Sequence, residues 1–290
     1  MAGSSGKHTP ILRYRKALQR VLVVVAFVVG GFLFLIYIMP FLWILLISFK
    51  PLALIKVPPR EALLFEPTVD NYIRLHTEWE FFYKVRNSLI ISGGTTLVNL
   101  LVGLFAAFAL VRYRLTGGNF IAVWILSQRF LPVVAILLPM FLFYQRLNLT
   151  NTYPGLIIAN TVATLPFTIW LLRGFLAELP TELYDAAEVD GCDELGVIKH
   201  IVFPLSRPAL GVTAAFCFLF SWNEFMIPLT LARPETATVT LGFAAFRQQF
   251  RYDWGAAAAA TVVTLIPLYV VIALLQENII RGLSMGAVKG

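Results

Sequence analysis

Six stretches of this chain stay apolar for about 20 residues or more at a time, near 21–47, 87–111, 120–144, 155–176, 208–229 and 255–276. No other feature restricts the fold as strongly. At a rise of 1.5 Å per residue, ~20 apolar residues cross a hydrocarbon core of about 30 Å. No water reaches the backbone there, so each segment must close its own N–H to C=O bonds as a helix. The predicted fold class is an all-α membrane protein with about six transmembrane helices. Composition agrees, with 59% hydrophobic and 13% charged residues, against about 25% charged in soluble chains. The first run is too long for a signal-peptide core and no small-residue cleavage site follows it, so it is read as a retained span.

Charge sets the expected orientation. The tail "KHTPILRYRKALQR" carries Lys7, Arg13, Arg15, Lys16 and Arg20 and no acid, which predicts a cytoplasmic N-terminus. Residues 1–20 are read as a cytoplasmic basic tail and 21–290 as the membrane domain. An even span count returns the C-terminus to the cytoplasm. Segment 48–86 then lies outside, with an interfacial helix expected in its aromatic cluster "EWEFFYKV". Residues 112–119 form a short inner loop, 145–155 a short outer one, and 230–254 lie outside. The largest inner loop is about 177–207. The formal charge of +7 belongs to loops and tail, and predicts a lipid bilayer as partner and no nucleic acid.

Catalytic and metal chemistry finds no support in the residues. "GSSGKHT" (Gly3–Thr9) lacks the spacing of a phosphate loop, since Gly6-Lys7 is followed by His8 in a polar tail. His8, His76 and His200 have no metal-ligand spacing. Cys192 is expected in water and Cys217 in the bundle, so no disulfide joins them. Uphill transport by such a chain needs energy from another subunit.

One inner segment stands apart: "YDAAEVDGCDELGVIKHIVFPL" (Tyr184–Leu205), with five acids between apolar runs. Thr181 and Glu182 suit a helix start, Thr181 as cap and Glu182 at the positive end of the dipole. Leu183, Ala186 and Ala187 fall on one face, shallow enough for a cleft or backbone to approach. Gly191 is placed as a left-handed terminator and Asp193 as the cap of a second helix with an apolar stripe. Pro204 is expected to end it. An ordinary amphipathic loop and a docking element for a cytoplasmic partner both satisfy this pattern.

The spacing resembles the loop E-A-A-x3-G-x9-I-x-L-P of permeases from binding-protein-dependent ABC importers. Here Asp185-Ala186-Ala187, Gly191, Ile201 and Phe203-Pro204 keep the intervals, with Asp for Glu and Phe for Leu. The blocks "SQRFLPVVAILLPMFLFYQRLNLTNTYPGLI", "LPFTIWLLRGFLAELP", "FSWNEFMIPLTL" and "IIRGLSMGAVKG" look like the second permease subunit of carbohydrate-uptake importers, the maltose-permease type. The likeness runs from about residue 70 to the end. It implies that the segment is a coupling helix seated in a cleft of an ATPase subunit, carrying nucleotide-driven closure into the spans. Ala186 and Ala187 would contact the cleft, Gly191 would set the turn, and Asp185 and Glu188 would meet cationic groups at its rim. Glu182, Ile201 and Pro204 complete the expected ATPase-coupling set. The implied partners are a second homologous permease, an ATPase dimer and an extracytoplasmic solute-binding protein. The implied solute is a sugar or polyol-like molecule. ATP and Mg would be bound by the ATPase, with no cofactor or metal here, in a bacterial or archaeal plasma membrane.

Ionisable groups at membrane depth point to function by default. Gln128 and Arg129 fall midway along the third run, and Trp222, Asn223 and Glu224 in the outer half of the fifth. A ring beside planar polar groups suits a sugar path, while an ion pair or subunit interface explains the charges equally well. Asn99 and Asn160 are expected in helix–helix hydrogen bonds. The expected function is the permease of an ATP-driven sugar importer. An independent secondary transporter or channel is the alternative.

Overall fold

The apolar runs became helices, but two of the six are broken, and the breaks carry the polar residues. The computed structural model describes residues 10–55, 65–113, 117–248 and 251–287. Four runs are uninterrupted helices: α1 (Pro10–Ser48), α3 (Phe81–Arg112), α6 (Tyr153–Leu176) and α12 (Trp254–Ala287). From Pro10 onward the expected tail belongs to α1.

The third run is α4 (Gly118–Ser127), a 3-10 turn at Gln128–Phe130, then α5 (Val133–Arg146), with a 91° bend between the arms. The cause is Pro132. A proline pushes the residue before it out of the helical region, and Leu131 is extended at ψ 131°. The fifth run is also split. Its first arm is α9 (Arg207–Trp222), which helical stretch α8 (Glu194–Leu205) of the 177–207 loop meets at 78°. After α9 the chain turns at Asn223 and resumes as α10 (Met226–Leu231). Among the described residues, four helices are long and apolar enough to cross a membrane, or up to six if each bent pair counts as one span.

Short elements close the end opposite the 177–207 loop. Helix α2 (Asp70–Thr77) and α11 (Val239–Ala245) pack there, with one antiparallel pair, β1 (Arg247–Gln248) and β2 (Arg251–Tyr252). The expected interfacial helix is absent. "EWEFFYKV" straddles a turn at Glu80, whose φ is +49°, and α3 begins at Phe81. Two of its aromatics point inward, Phe81 and Trp79 packing on Phe246 with ring centroids 5.8 and 4.9 Å apart, while Phe82 and Tyr83 stay exposed. The alanines 256–260 of α12 are all buried, as their small size allows.

Helices α3, α6 and α9 share a buried polar seam. Asn99 donates to Thr164 Oγ1 (2.8 Å), Ser221 Oγ to Asn160 Oδ1 (3.4 Å), and Thr168 Oγ1 lies 3.0 Å from Cys217 Sγ. Asn99 and Asn160 therefore make the helix–helix bonds expected of them. Gly103 permits the approach, because a Cβ there would stand 2.5 Å from Thr168 Cγ2.

Candidate functional site

The loop between α6 and α9 is two helices joined at a glycine. Helix α7 (Glu182–Val189) ends in a left-handed residue, Gly191, at φ +86°. The amide of Cys192 donates to Ala187 O (2.9 Å) and that of Gly191 to Glu188 O (3.0 Å), the double closure of a Schellman motif. Asp193 caps the next stretch, its Oδ1 accepting from Gly196 N (2.8 Å). Thr181 does not cap: it is already helical and its side chain makes no capping bond. Pro204 does not end its helix. The π-turn Ile198–Val202 widens the stretch just before it, and the helix continues to Leu205. Proline removes an amide donor, and a π-turn is one way to accommodate the gap.

The loop is cored onto the spans rather than hung from them. Tyr184, Ala187, Val197 and Val202 share one buried cluster with Leu104, Phe108, Leu172 and Leu176. Half-buried Ile201 packs against it. This corrects the expected face of α7. Ala187, 6% exposed, is on the underside beside Tyr184. The outward surface is Leu183, Ala186 and Val189, the last 89% exposed. Burial raises the Tyr184 phenol, and Arg112 partly offsets that.

The acids of α7 also meet their cation at home. Arg112, the last residue of α3, forks to Asp185 Oδ1 (3.0 Å) and to Glu188 Oε1. Its guanidinium lies 5.9 Å from the Tyr184 ring centroid. Next to it, the Tyr113 hydroxyl donates to Glu194, an interaction that raises the phenol above its ordinary value. Glu182 stands exposed in the first turn. Arg112, Tyr113 and Tyr184 were missed in the sequence. A bulky Tyr three residues before Ala187 was the available signal for the buried face.

The membrane-depth candidates separate into two groups. Trp222 is 1% exposed and stacked on Phe218 at 5.4 Å, deep in the core. Glu224 follows the end of α9 instead of lying inside a span. Its Oε1 accepts from the amides of Met226 (2.8 Å) and Ile227 (3.1 Å), capping α10. Trp222 is the last residue of α9, as expected, but turned into the core, while Glu224 lies beyond the helix end. Gln128, Arg129 and Asn223 are exposed on this chain's surface. Arg129 sits over two rings that the sequence did not single out, 4.2 Å from the Phe220 centroid and 5.2 Å from that of Phe167.

A helical bundle with bent spans and a short-helix loop locked to its core is the architecture of a multi-pass membrane subunit. The fold matches a chain of a bacterial ABC transporter involved in the import of the acidic polysaccharide alginate. The TM-score is 0.76 at 20% identity, covering 96% of this chain and 99% of that one. The family described as "Binding-protein-dependent transport system inner membrane component" matches residues 99–285. The trehalose/maltose transport system permease protein MalG of Thermococcus litoralis is 30% identical over 95% of this chain and 99% of its own. The sulfoquinovosyl glycerol transport system permease protein SmoH of Agrobacterium fabrum is 30% identical over 91% of this chain and 93% of its own. This chain belongs to that family. It is a multi-pass permease, the non-catalytic membrane component of a binding-protein-dependent ABC importer, and the alternative of an independent secondary transporter or channel falls away.

Proposed function

We propose that this permease imports a sugar or sugar-like solute, and that α7 with its glycine turn is the lever through which a separate ATPase drives alternating access. The observation that carries the coupling reading is the cored loop. Tyr184 and Ala187 are fixed to the ends of α3 and α6, and Leu183, Ala186 and Val189 face outward. A partner pressing on that face moves the spans as a body, because a packed interior transmits displacement instead of absorbing it. Asp185 and Glu188 serve as internal ties to Arg112 within the lever. The solute class is supported by the carbohydrate names of the relatives. Gln128, Arg129 and Asn223 are the residues offered to the path.

The remaining partners follow from the same reading: a second, homologous permease, an ATPase dimer that binds ATP and Mg, and an extracytoplasmic solute-binding protein. The loop and both termini face the cytoplasm, and the end bearing α2 and α11 meets the binding protein. Purification of the tagged chain from its own host membranes tests the assembly. An ATPase should accompany it, and hydrolysis in proteoliposomes should rise when the solute-loaded binding protein is added. A chain that purifies alone and transports solute by itself would contradict the proposal.

A further inference from the structure

Arg129 is a cation at membrane depth without an acid. Phe167 stands about 14 Å from the Leu176 end of α6, and Phe220 about 20 Å from the Arg207 end of α9, at 1.5 Å per residue. The guanidinium stacked on both rings is therefore near the middle of the bilayer. Among the described residues, the ion pairs are Arg74 with Glu78 and Asp253, and Arg112 with Asp185 and Glu188. None includes Arg129. Glu224, the nearest acid in sequence on α9's far side, is engaged in the cap of α10.

Such a group does not face lipid at this depth; it faces a cavity or another protein surface. Its setting is a built platform. Phe216 and Phe220 stack at 6.0 Å on one face of α9, Phe167 meets both edge-on at 5.6 and 5.3 Å, and Asn223 follows on the same face at i+7 from Phe216. The rings hold the planar guanidinium by cation–π attraction and leave its five donors uncommitted to protein. No hydrogen bond from Arg129 to this chain is made among the described residues. Aromatic faces next to a free guanidinium fork suit a sugar ring bearing an anionic group.

We infer that Arg129, on its Phe167–Phe216–Phe220 platform, is a specificity subsite for the anionic group of an acidic carbohydrate, whether carboxylate, sulfonate or phosphate. The inference rests on the sugar-importer reading and narrows it. The guanidinium donates charge-assisted hydrogen bonds to the anion as the solute passes the bend between α4 and α5, and a neutral sugar lacks that partner.

The test begins with the cognate binding protein, screened by thermal shift against matched pairs: glucose and glucuronate, cellobiose and cellobionate, glycerol and glycerol 3-phosphate. The anionic member of a pair should bind. Uptake of the bound probe is then measured in proteoliposomes holding the whole importer, either wild type, Arg129→Lys or Arg129→Gln. Arg129→Gln should cut uptake of the anionic probe about tenfold or more, with Arg129→Lys between it and wild type. Co-purified second permease and ATPase should be unchanged. Binding of neutral members alone overturns the acidic-sugar inference and leaves the importer reading intact. Binding of none but a non-carbohydrate solute overturns both. Loss of the second permease from the Arg129→Gln complex also overturns it, because the anion is then a partner's carboxylate.

Discussion

At the scale of single residues, Gly191 shows how backbone chemistry sets the lever. Its φ of +86° is reached freely only by glycine, while a Cβ there would meet nothing within 4 Å. The penalty of substitution is therefore conformational, about 1–2 kcal/mol for a side chain with Cβ, and smaller for Asn, which tolerates the left-handed region. Amide exchange across α7 should quicken in the order Gly191→Asn, Gly191→Ala, Gly191→Val; equal rates in all three would contradict the Schellman closure. Tyr184 makes the opposite point. Its ring is fully buried, but its hydroxyl has no hydrogen-bond partner, and an unpaired buried polar group costs about 1–3 kcal/mol. Tyr184→Phe should leave the thermal midpoint of the purified complex unchanged or raised, whereas Tyr184→Ala, opening a cavity, should lower it. Glu224 divides cap from path. Removing both amide bonds in Glu224→Ala should cost about 0.5–2 kcal/mol, measured as a lower thermal midpoint, and Glu224→Gln, which keeps an acceptor oxygen, should stay close to wild type.

At the scale of elements, the ties between α3 and α7 are exposed ion pairs worth about 0–1 kcal/mol each, so their role is orientation more than stability. Arg112→Ala should leave expression and ATPase association near wild type and lower the stimulation of ATP hydrolysis by loaded binding protein; unchanged stimulation would show that the buried cluster alone holds the lever. The element scale also shows what could be read from residue order. Run length found the four long apolar helices and both arms of the third run, and the Gly191 turn and Asp193 cap followed from residue type. Both breaks were marked but passed over. Pro132 excludes helix at Leu131, and the polar run at Asn223 and Glu224 marks the end of α9. The face of α7 was not legible in its two alanines, since alanine suits a buried or an exposed position equally. Tyr184 decides it, by needing a pocket between α3 and α6 that only the assembled bundle supplies. The Arg129 platform was hidden for a similar reason, because Phe167 and Phe220 come from different helices and are among many phenylalanines.

At the scale of the whole molecule, the proposed orientation puts the loop and both termini in the cytoplasm; Cys192 is half-exposed in that loop and Cys217 is buried in the bundle. A membrane-impermeant thiol reagent should label the chain at Cys192 only after cells are opened; labelling in intact cells would invert the orientation. On the proposed reading the molecule works as a lever whose handle is the outward face of α7 and whose load is the packed ends of α3 and α6. That claim distinguishes two adjacent alanines by direction alone. Ala187→Glu would place a charge in the molecule's own core, so it disturbs folding and tests little. Ala186→Glu changes only the exposed face, with α7, its cap and its core contacts left as they are. The deciding measurement is the amount of ATPase recovered per permease from membranes expressing Ala186→Glu. Permease levels should be normal with most of the ATPase lost, and solute uptake lost with it. Full recovery of ATPase together with full uptake would contradict the claim that this face couples ATP to transport.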